Sequence, residues 1–233
     1  MIIAEAGTHF AGRTTERRVQ NAMFYADLAH MAGADYVKYQ MYLDGGRDNM
    51  AFVEGDDKRT LHWWNCDLVY EDWFDIKKHC EDIGIGFMVS PFCQKGVEWA
   101  ITLDCDYIKV ASRNTAVFPY DICKGERLII SDGMHEIPPV NAIRLQCTSK
   151  YPTPMEEARW VRHDGLSDHS GTPWPAMDAI ARGAKVVEVH LSFDQDDRDR
   201  KSSVKKHELK QICEFRDAIA RMHEGAGRPH HYA

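Results

Sequence analysis

Short apolar runs recur along the chain, and each closes on polar residues: 2–6, 36–40, 85–90, 107–112, 128–132, 142–147, 165–167 and 186–191. Most are rich in Ile, Val and Tyr, and near-continuous hydrophobicity of this length suits strands covered on both faces. The seventh run is the weakest and follows from its place in the series. Helical patterns lie between them. In 15–31, Val19, Met23, Ala26 and His30 recur at helical spacing, Thr14 or Thr15 can cap the start, and Gly33 ends it. Segments 71–83, 94–103, 173–182 and 206–224 carry the same signal, whereas 118–124, 135–140 and 155–162 leave room for one or two turns each. Eight strands alternating with helices predict an α/β architecture, a (β/α)8 TIM barrel of minimal size with shortened fifth and sixth helices. The alternative, an open doubly wound sheet, lacks a G-x-G-x-x-G after the first strand. The pattern predicts a single barrel domain over 1–224 and a flexible tail over 225–233.

Composition narrows the class. The 233 residues suffice for a full core without disulfides or structural metal. Lys plus Arg number 29 against 36 Asp plus Glu, a formal charge of −7, which argues against a nucleic-acid binder but leaves room for a local anion pocket. There is no signal-like N-terminus and no run of 18 apolar residues, and none of the seven cysteines forms a C-x-x-C pair. The expectation is a cytoplasmic protein with reduced thiols and no membrane partner.

In such a barrel the chemistry sits where strands meet the following loops. Lys38 and Lys109 interrupt otherwise apolar strands, where an unpaired charge would be costly, so both need anionic partners. Lys38 and Gln40 share one strand face. With Ser90, Ser112, Ser131, Ser149 and Ser167 at neighbouring strand ends, they describe a site for a phosphorylated or carboxylated small molecule. His169 and His190 end the last two strands and could share a divalent cation, with water or substrate completing the shell. Glu5 and Glu188 lie at strand ends of the same mouth.

These residues also carry a family resemblance. The blocks IIAEAG, AGADYVKYQ, GFMVSPF, DYIKVAS, LIISDGM, CTSKYPTP, LSDHS and KVVEVHLSFD occur in the order found in the sialic acid synthase family, from residue 2 to about 212. The resemblance implies a barrel enzyme that condenses phosphoenolpyruvate with an N-acylated amino sugar, using a divalent metal, usually Mn2+, with Mg2+ or Co2+ as other candidates. It implies that Lys38, Ser90, Lys109, Ser112, Ser131, Ser149, Tyr151 and Ser167 bind phosphoenolpyruvate, that His169 and His190 hold the metal, and that Glu5 and Gln40 line the pocket. Asp199 falls near an acceptor-binding Asp. The departures are on the acceptor side. An Asn-His-Asn motif becomes His9-Phe10-Ala11, a Ser-Gly-Glu segment becomes Ser112-Arg113-Asn114, and Pro-Gly-Pro-Asp-His becomes the charged run 196–201. The family's antifreeze-like C-terminal domain is not expected after 224. Asn114 enters as an acceptor-side candidate with Gln40 and Asp199.

The reading that results is a carbon–carbon bond-forming transferase of carbohydrate biosynthesis, acting on phosphoenolpyruvate and an aldehyde or aldose, with Lys38, Lys109, Glu5 and Glu188 at the reacting centre. Two alternatives stay open: a Schiff-base aldolase or lyase using Lys38 or Lys109, and a barrel that binds a phosphorylated metabolite without turnover. Segment 43–65, with Gly45-Gly46 and His62-Trp63-Trp64, reads either as a rim loop whose aromatics pack on the barrel or as a lid. Thin helices on one flank leave room for a homo-oligomer.

Overall fold

Each of the eight apolar runs becomes a strand, and the eight pair in sequence order, all parallel. They are β1 (Ile2–Gly7), β2 (Tyr36–Met41), β3 (Gly86–Pro91), β4 (Ile108–Val110), β5 (Leu128–Asp132), β6 (Ala142–Cys147), β7 (Gly165–Asp168) and β8 (Val186–Leu191). The β1–β8 ladder, with Ile3 opposite Glu188 and Glu5 opposite His190, closes the sheet into a barrel. A short ninth strand, β9 (Ser203–Val204), adds beside the end of β8. This computed structural model describes residues 1–46, 50, 57–194, 197 and 199–225. Residues 226–233 of the expected tail (225–233), parts of segment 43–65 (47–49 and 51–56) and residues 195, 196 and 198 lie outside the described residues.

Around the barrel run α1 (Thr15–Ala32), α2 (Asp57–Trp64), α3 (Tyr70–Ile83), α4 (Gln94–Thr102), α5 (Trp174–Ala181) and α6 (Lys206–Gly225). Thr14 caps α1, its Oγ1 accepting from the Arg17 amide at 3.3 Å, and Gly33 ends it at φ 87°. The helix buries a small-residue face (Ala22, Ala26, Ala29 and Ala32, with Tyr25 and Leu28) that lets it sit close to the sheet. No helix among the described residues is long and apolar enough to cross a membrane.

The fifth and sixth helices are reduced further than the one or two turns expected of them, while the fourth keeps the single turn the pattern allows. Residues 135–140 form no helix, 155–162 hold only a turn at 155–157, and 118–124 hold one 3-10 turn at Tyr120–Ile122. The cause is visible in β6. Its residues Ile143, Leu145 and Cys147 face the lumen, so Arg144 and Gln146 face outward, where a covering helix would meet polar groups. Instead Gln146 ties down a loop: its Nε2 donates to the Arg159 carbonyl at 2.8 Å, and its Oε1 accepts from the Val161 and Arg162 amides at 2.9 and 3.2 Å. Gln146→Ala should cost about 1–2 kcal/mol, given the modest net worth of each bond. It should also speed hydrogen exchange at Val161 and Arg162; unaltered exchange there would show that the loop is held by something else.

Segment 43–65 also differs from a plain loop, since it contains α2. Trp63 is 5% exposed and stacks on Tyr42 (centroids 5.0 Å, 19° between planes), which stacks on Phe92 (4.2 Å, 18°). Gly45 and Gly46 sit at φ 62° and 72°, and a Cβ on Gly46 would lie 2.5 Å from the Trp63 ring. The aromatics therefore pack on the barrel rim, and Trp63 is a fixed wall.

Candidate active site

The lumen is layered by the two-residue period of its strands. Ile3, Met88, Ile129, Leu145 and Val186 fill one end as an aliphatic floor. One period on, the same strands present Glu5, Ser90, Ser131, Cys147 and Glu188, joined by Lys38, Lys109 and Ser167 from β2, β4 and β7. The next step gives Gln40, Ala111, Ser149, His169 and His190 at the mouth. The space above the floor is a cavity of about 430 Å³, in the range of small-molecule sites.

The side chains of the charged layer are almost wholly buried. Lys38 is 3% exposed, and its Nζ lies 2.5 Å from Glu5 Oε2 and 3.7 Å from Glu188 Oε2, while donating to Ser90 Oγ at 2.9 Å. Lys109 Nζ donates to Ser131 Oγ at 2.7 Å and to the Val110 carbonyl at 3.3 Å, and stands 3.9 Å from Glu188 Oε1. Ser167 Oγ donates to Glu188 Oε1 at 2.9 Å, and Gln40 Nε2 donates to Glu5 Oε1 at 3.2 Å. Two lysines thus face two glutamates, as the cost of burying lone charges requires.

Burial and neighbours push these groups apart. Burial drives the Glu5 carboxyl up, only partly countered by Lys38 and reinforced by Glu188. Burial would do the same to Glu188, but Lys109 and Lys38 together hold it below the usual carboxylate range. Lys38 is held above its ordinary value because Glu188 and Glu5 outweigh its burial. Lys109 falls below its ordinary value, burial prevailing over the more distant Glu188. The result is one acid-prone carboxyl, one fixed carboxylate, one firm cation and one amine that releases its proton more readily.

His169 and His190 meet above this layer with ring centroids 5.1 Å apart. Burial lowers His169 to about 4 and takes His190 well below its ordinary value, with the His169 ring adding to the second shift. Both shifts favour the neutral imidazole, and the His190 Nδ1 is buried without a hydrogen-bond partner. Two neutral imidazoles fit a divalent cation that takes its other ligands from water or substrate. Among the described residues there is no group of three or more His, Cys, Asp or Glu that could hold a metal. Tyr151, 55% exposed, shares a 2.9 Å hydrogen bond between its hydroxyl and His169 Nε2. Its loop is anchored where the Thr153 amide donates to the His169 carbonyl at 2.9 Å.

The structure brings together on this cavity Glu5, Lys38, Gln40, Ser90, Lys109, Ser112, Ser131, Ser149, Tyr151, Ser167, His169, Glu188, His190 and Asp199. Asn114 is not among the lining residues. It is fully buried, with neither amide atom hydrogen-bonded, and its neighbour Arg113 reaches the mouth instead. The 3-10 turn Ser112–Asn114, closed by the Asn114 amide on the Ala111 carbonyl at 2.8 Å, ends β4 early and decides which side chain faces in. Thr8, Tyr42, His62, Arg113 and Met134 also line the site and carried no signal in the apolar pattern, because they lie outside the eight strands, His62 on α2 and the others on the turns and loops that follow strands.

Known proteins share this arrangement of chain. The model of the NeuB family matches residues 25–228. The N,N'-diacetyllegionaminic acid synthase of Campylobacter jejuni subsp. jejuni is 24% identical over 91% of this chain and 74% of its own length. The pseudaminic acid synthase of the same organism is 29% identical over 97% of this chain and 74% of its own. Among solved structures, N-acetylneuraminic acid (sialic acid) synthetase from Leptospira borgpetersenii, crystallised with citrate, matches with a TM-score of 0.78 at 21% identity. The match covers all of this chain and 86% of that one, a likeness of fold.

Proposed function

This chain belongs to the NeuB family, its match spanning residues 25–228, and on that footing we propose that it condenses phosphoenolpyruvate with an aldose. The reaction forms a bond between the enolpyruvate C3 and the aldehyde carbon, water adds at C2, and the adduct collapses to a 2-keto sugar acid and inorganic phosphate. The observation that supports this most directly is the layer of two buried lysines and three lumen serines over an apolar floor. It offers charge-assisted donors to a compact, multiply charged anion and excludes water from its reacting carbon.

Lys38 and Lys109, with Ser90, Ser131 and Ser167, would hold the phosphate and carboxylate, and Ser112, Ser149 and Tyr151 would close the shell from the mouth. Glu188, kept anionic by both lysines, fixes their positions. Glu5, the carboxyl pushed upward, is suited to hold a proton and pass it to the aldehyde oxygen as the new bond forms. Holding both reactants in one mouth contributes through orientation. His169 and His190 would carry a divalent cation, Mn2+ being the candidate, which when bound supplies Lewis-acid polarisation of the acceptor carbonyl. The relatives' names, synthases of legionaminic and pseudaminic acids, agree with a keto sugar acid as product.

Phosphate release from phosphoenolpyruvate, followed with Mn2+ across a panel of aldoses, tests the reading. Release that depends on both an aldose and the metal is expected, and no release with any aldose would refute it. A second reading is favoured by one observation: burial lowers the Lys109 amine, as a Schiff-base nucleophile requires. Borohydride with pyruvate should trap nothing if condensation is correct, whereas a modified Lys109 would establish the lyase.

A further inference from the structure

Inside the lumen the charges are matched, two lysines against two glutamates, so no further cation is needed there. One is nevertheless placed at the mouth. Arg113 lines the cavity from the turn that ends β4 and is half-buried, and among the described residues it makes no ion pair. Its turn is held by the Asn114 amide on the Ala111 carbonyl (2.8 Å) and by Thr115 Oγ1 on the Ser112 carbonyl (3.1 Å), so the side chain starts from a fixed point. The guanidinium faces the hydroxyl of Tyr42, which is clamped between Trp63 and Phe92. A half-buried guanidinium that lines a substrate cavity and has no counter-ion among the described residues is an anion receptor awaiting its partner.

Asp199 lines the cavity too, from the loop after β8, and has no ion pair with Arg113. The mouth is therefore polarised: carboxylate and histidines on the β7–β8 side, guanidinium on the β4 side. An acceptor with its aldehyde toward the histidines would turn hydroxyls to Asp199 and meet Arg113 with a group elsewhere on the molecule.

We propose that Arg113 determines acceptor specificity by pairing with an anionic group, a phosphate or a carboxylate, carried by the aldose. This rests on the condensing reading above. The test compares neutral aldoses with their 6-phosphates and the corresponding uronic acids in the Mn2+-loaded full chain, for wild type, Arg113→Gln and Arg113→Lys. Wild type should favour one or both anionic forms in kcat/KM, and the form it favours identifies the anion. Arg113→Gln should lose about 10–100-fold on the favoured anionic acceptor, the worth of a charge-assisted bond. On neutral aldoses it should lose no more than about threefold by the same arithmetic, with the KM for phosphoenolpyruvate within about twofold. Arg113→Lys should recover part of the loss. Equal losses on neutral and anionic acceptors, or a raised KM for phosphoenolpyruvate, would overturn the proposal, the latter placing Arg113 in the phosphoenolpyruvate shell. If no aldose supports phosphate release, the condensing reading fails by itself. Calorimetric binding of the same aldoses to wild type and Arg113→Gln then decides this inference: a preference for anionic sugars lost in the variant sustains it, and no preference overturns it.

Discussion

Replacing Lys38 with Met is expected to unfold the protein at a melting temperature lower by roughly 10 °C. Its ammonium is the common neighbour of Glu5 and Glu188, at 2.5 and 3.7 Å. Without it two buried carboxyls share the lumen with only Lys109 left, at 3.9 Å from one of them. Breaking a buried pair on one side costs about 3–5 kcal/mol. In a domain of this size each kcal/mol moves the midpoint by about 2–4 °C. The sign is set by what remains, so removing the stranded charge should restore stability: Lys38→Met/Glu5→Gln should melt well above the single variant while staying inactive. A thermal scan of the wild type, both single variants and the double variant checks this. A Lys38→Met protein as stable as wild type would mean that Glu5 simply takes up a proton and the lysine is not needed for folding.

His169→Gln and His190→Gln should each abolish stabilisation by Mn2+. Binding to the native state alone adds about 2.7 kcal/mol at a concentration one hundred times Kd. A two-ligand site has no reserve, so losing either imidazole removes that gain. Phosphate release should fall by at least about 100-fold, since Lewis-acid assistance is worth several kcal/mol of barrier. The two readouts separate roles: loss of activity with the Mn2+ shift intact would make the histidines acid–base or packing residues and move the cation elsewhere. Glutamine keeps a polar group against Tyr151, whose hydroxyl contacts His169 Nε2, so the apo melting temperature should change little.

The chemistry of the lumen was legible in the sequence because a parallel barrel strand reads as an apolar run, and a Lys, Ser, Glu or His inside such a run has nowhere to point but inward or into helices. Lys38 and Lys109 stand out in YVKYQM and IKV for that reason. The thin cover after β4, β5 and β6 was legible as segments with room for one or two turns, but the complete loss of helix after β5 and β6 was harder. AIRLQC alternates where its neighbours are continuous, and that alternation is the mark of a strand with one wet face. Helical spacing in 135–140 and 155–162 is too short to outweigh the lost cover, and nucleation of such short helices is unfavourable. Arg113 was not separable from Asn114 by sequence, because which of two adjacent residues faces a cavity depends on the turn between them.

The sequence by itself determined eight parallel strands, their order, and a set of polar residue types gathered at one end of them. These follow from local periodicity and from the cost of burying charge, which act on every residue through its immediate neighbours. The tertiary structure alone decided how the barrel is covered, that Glu5 and Glu188 take opposite protonation tendencies, and that Arg113 faces the mouth. Those depend on distances of a few ångströms between residues far apart in the chain, such as Lys38 with Glu188 and Lys109 with Glu188. Electrostatic energy between buried groups varies steeply with such distances, and no pattern along the chain encodes them.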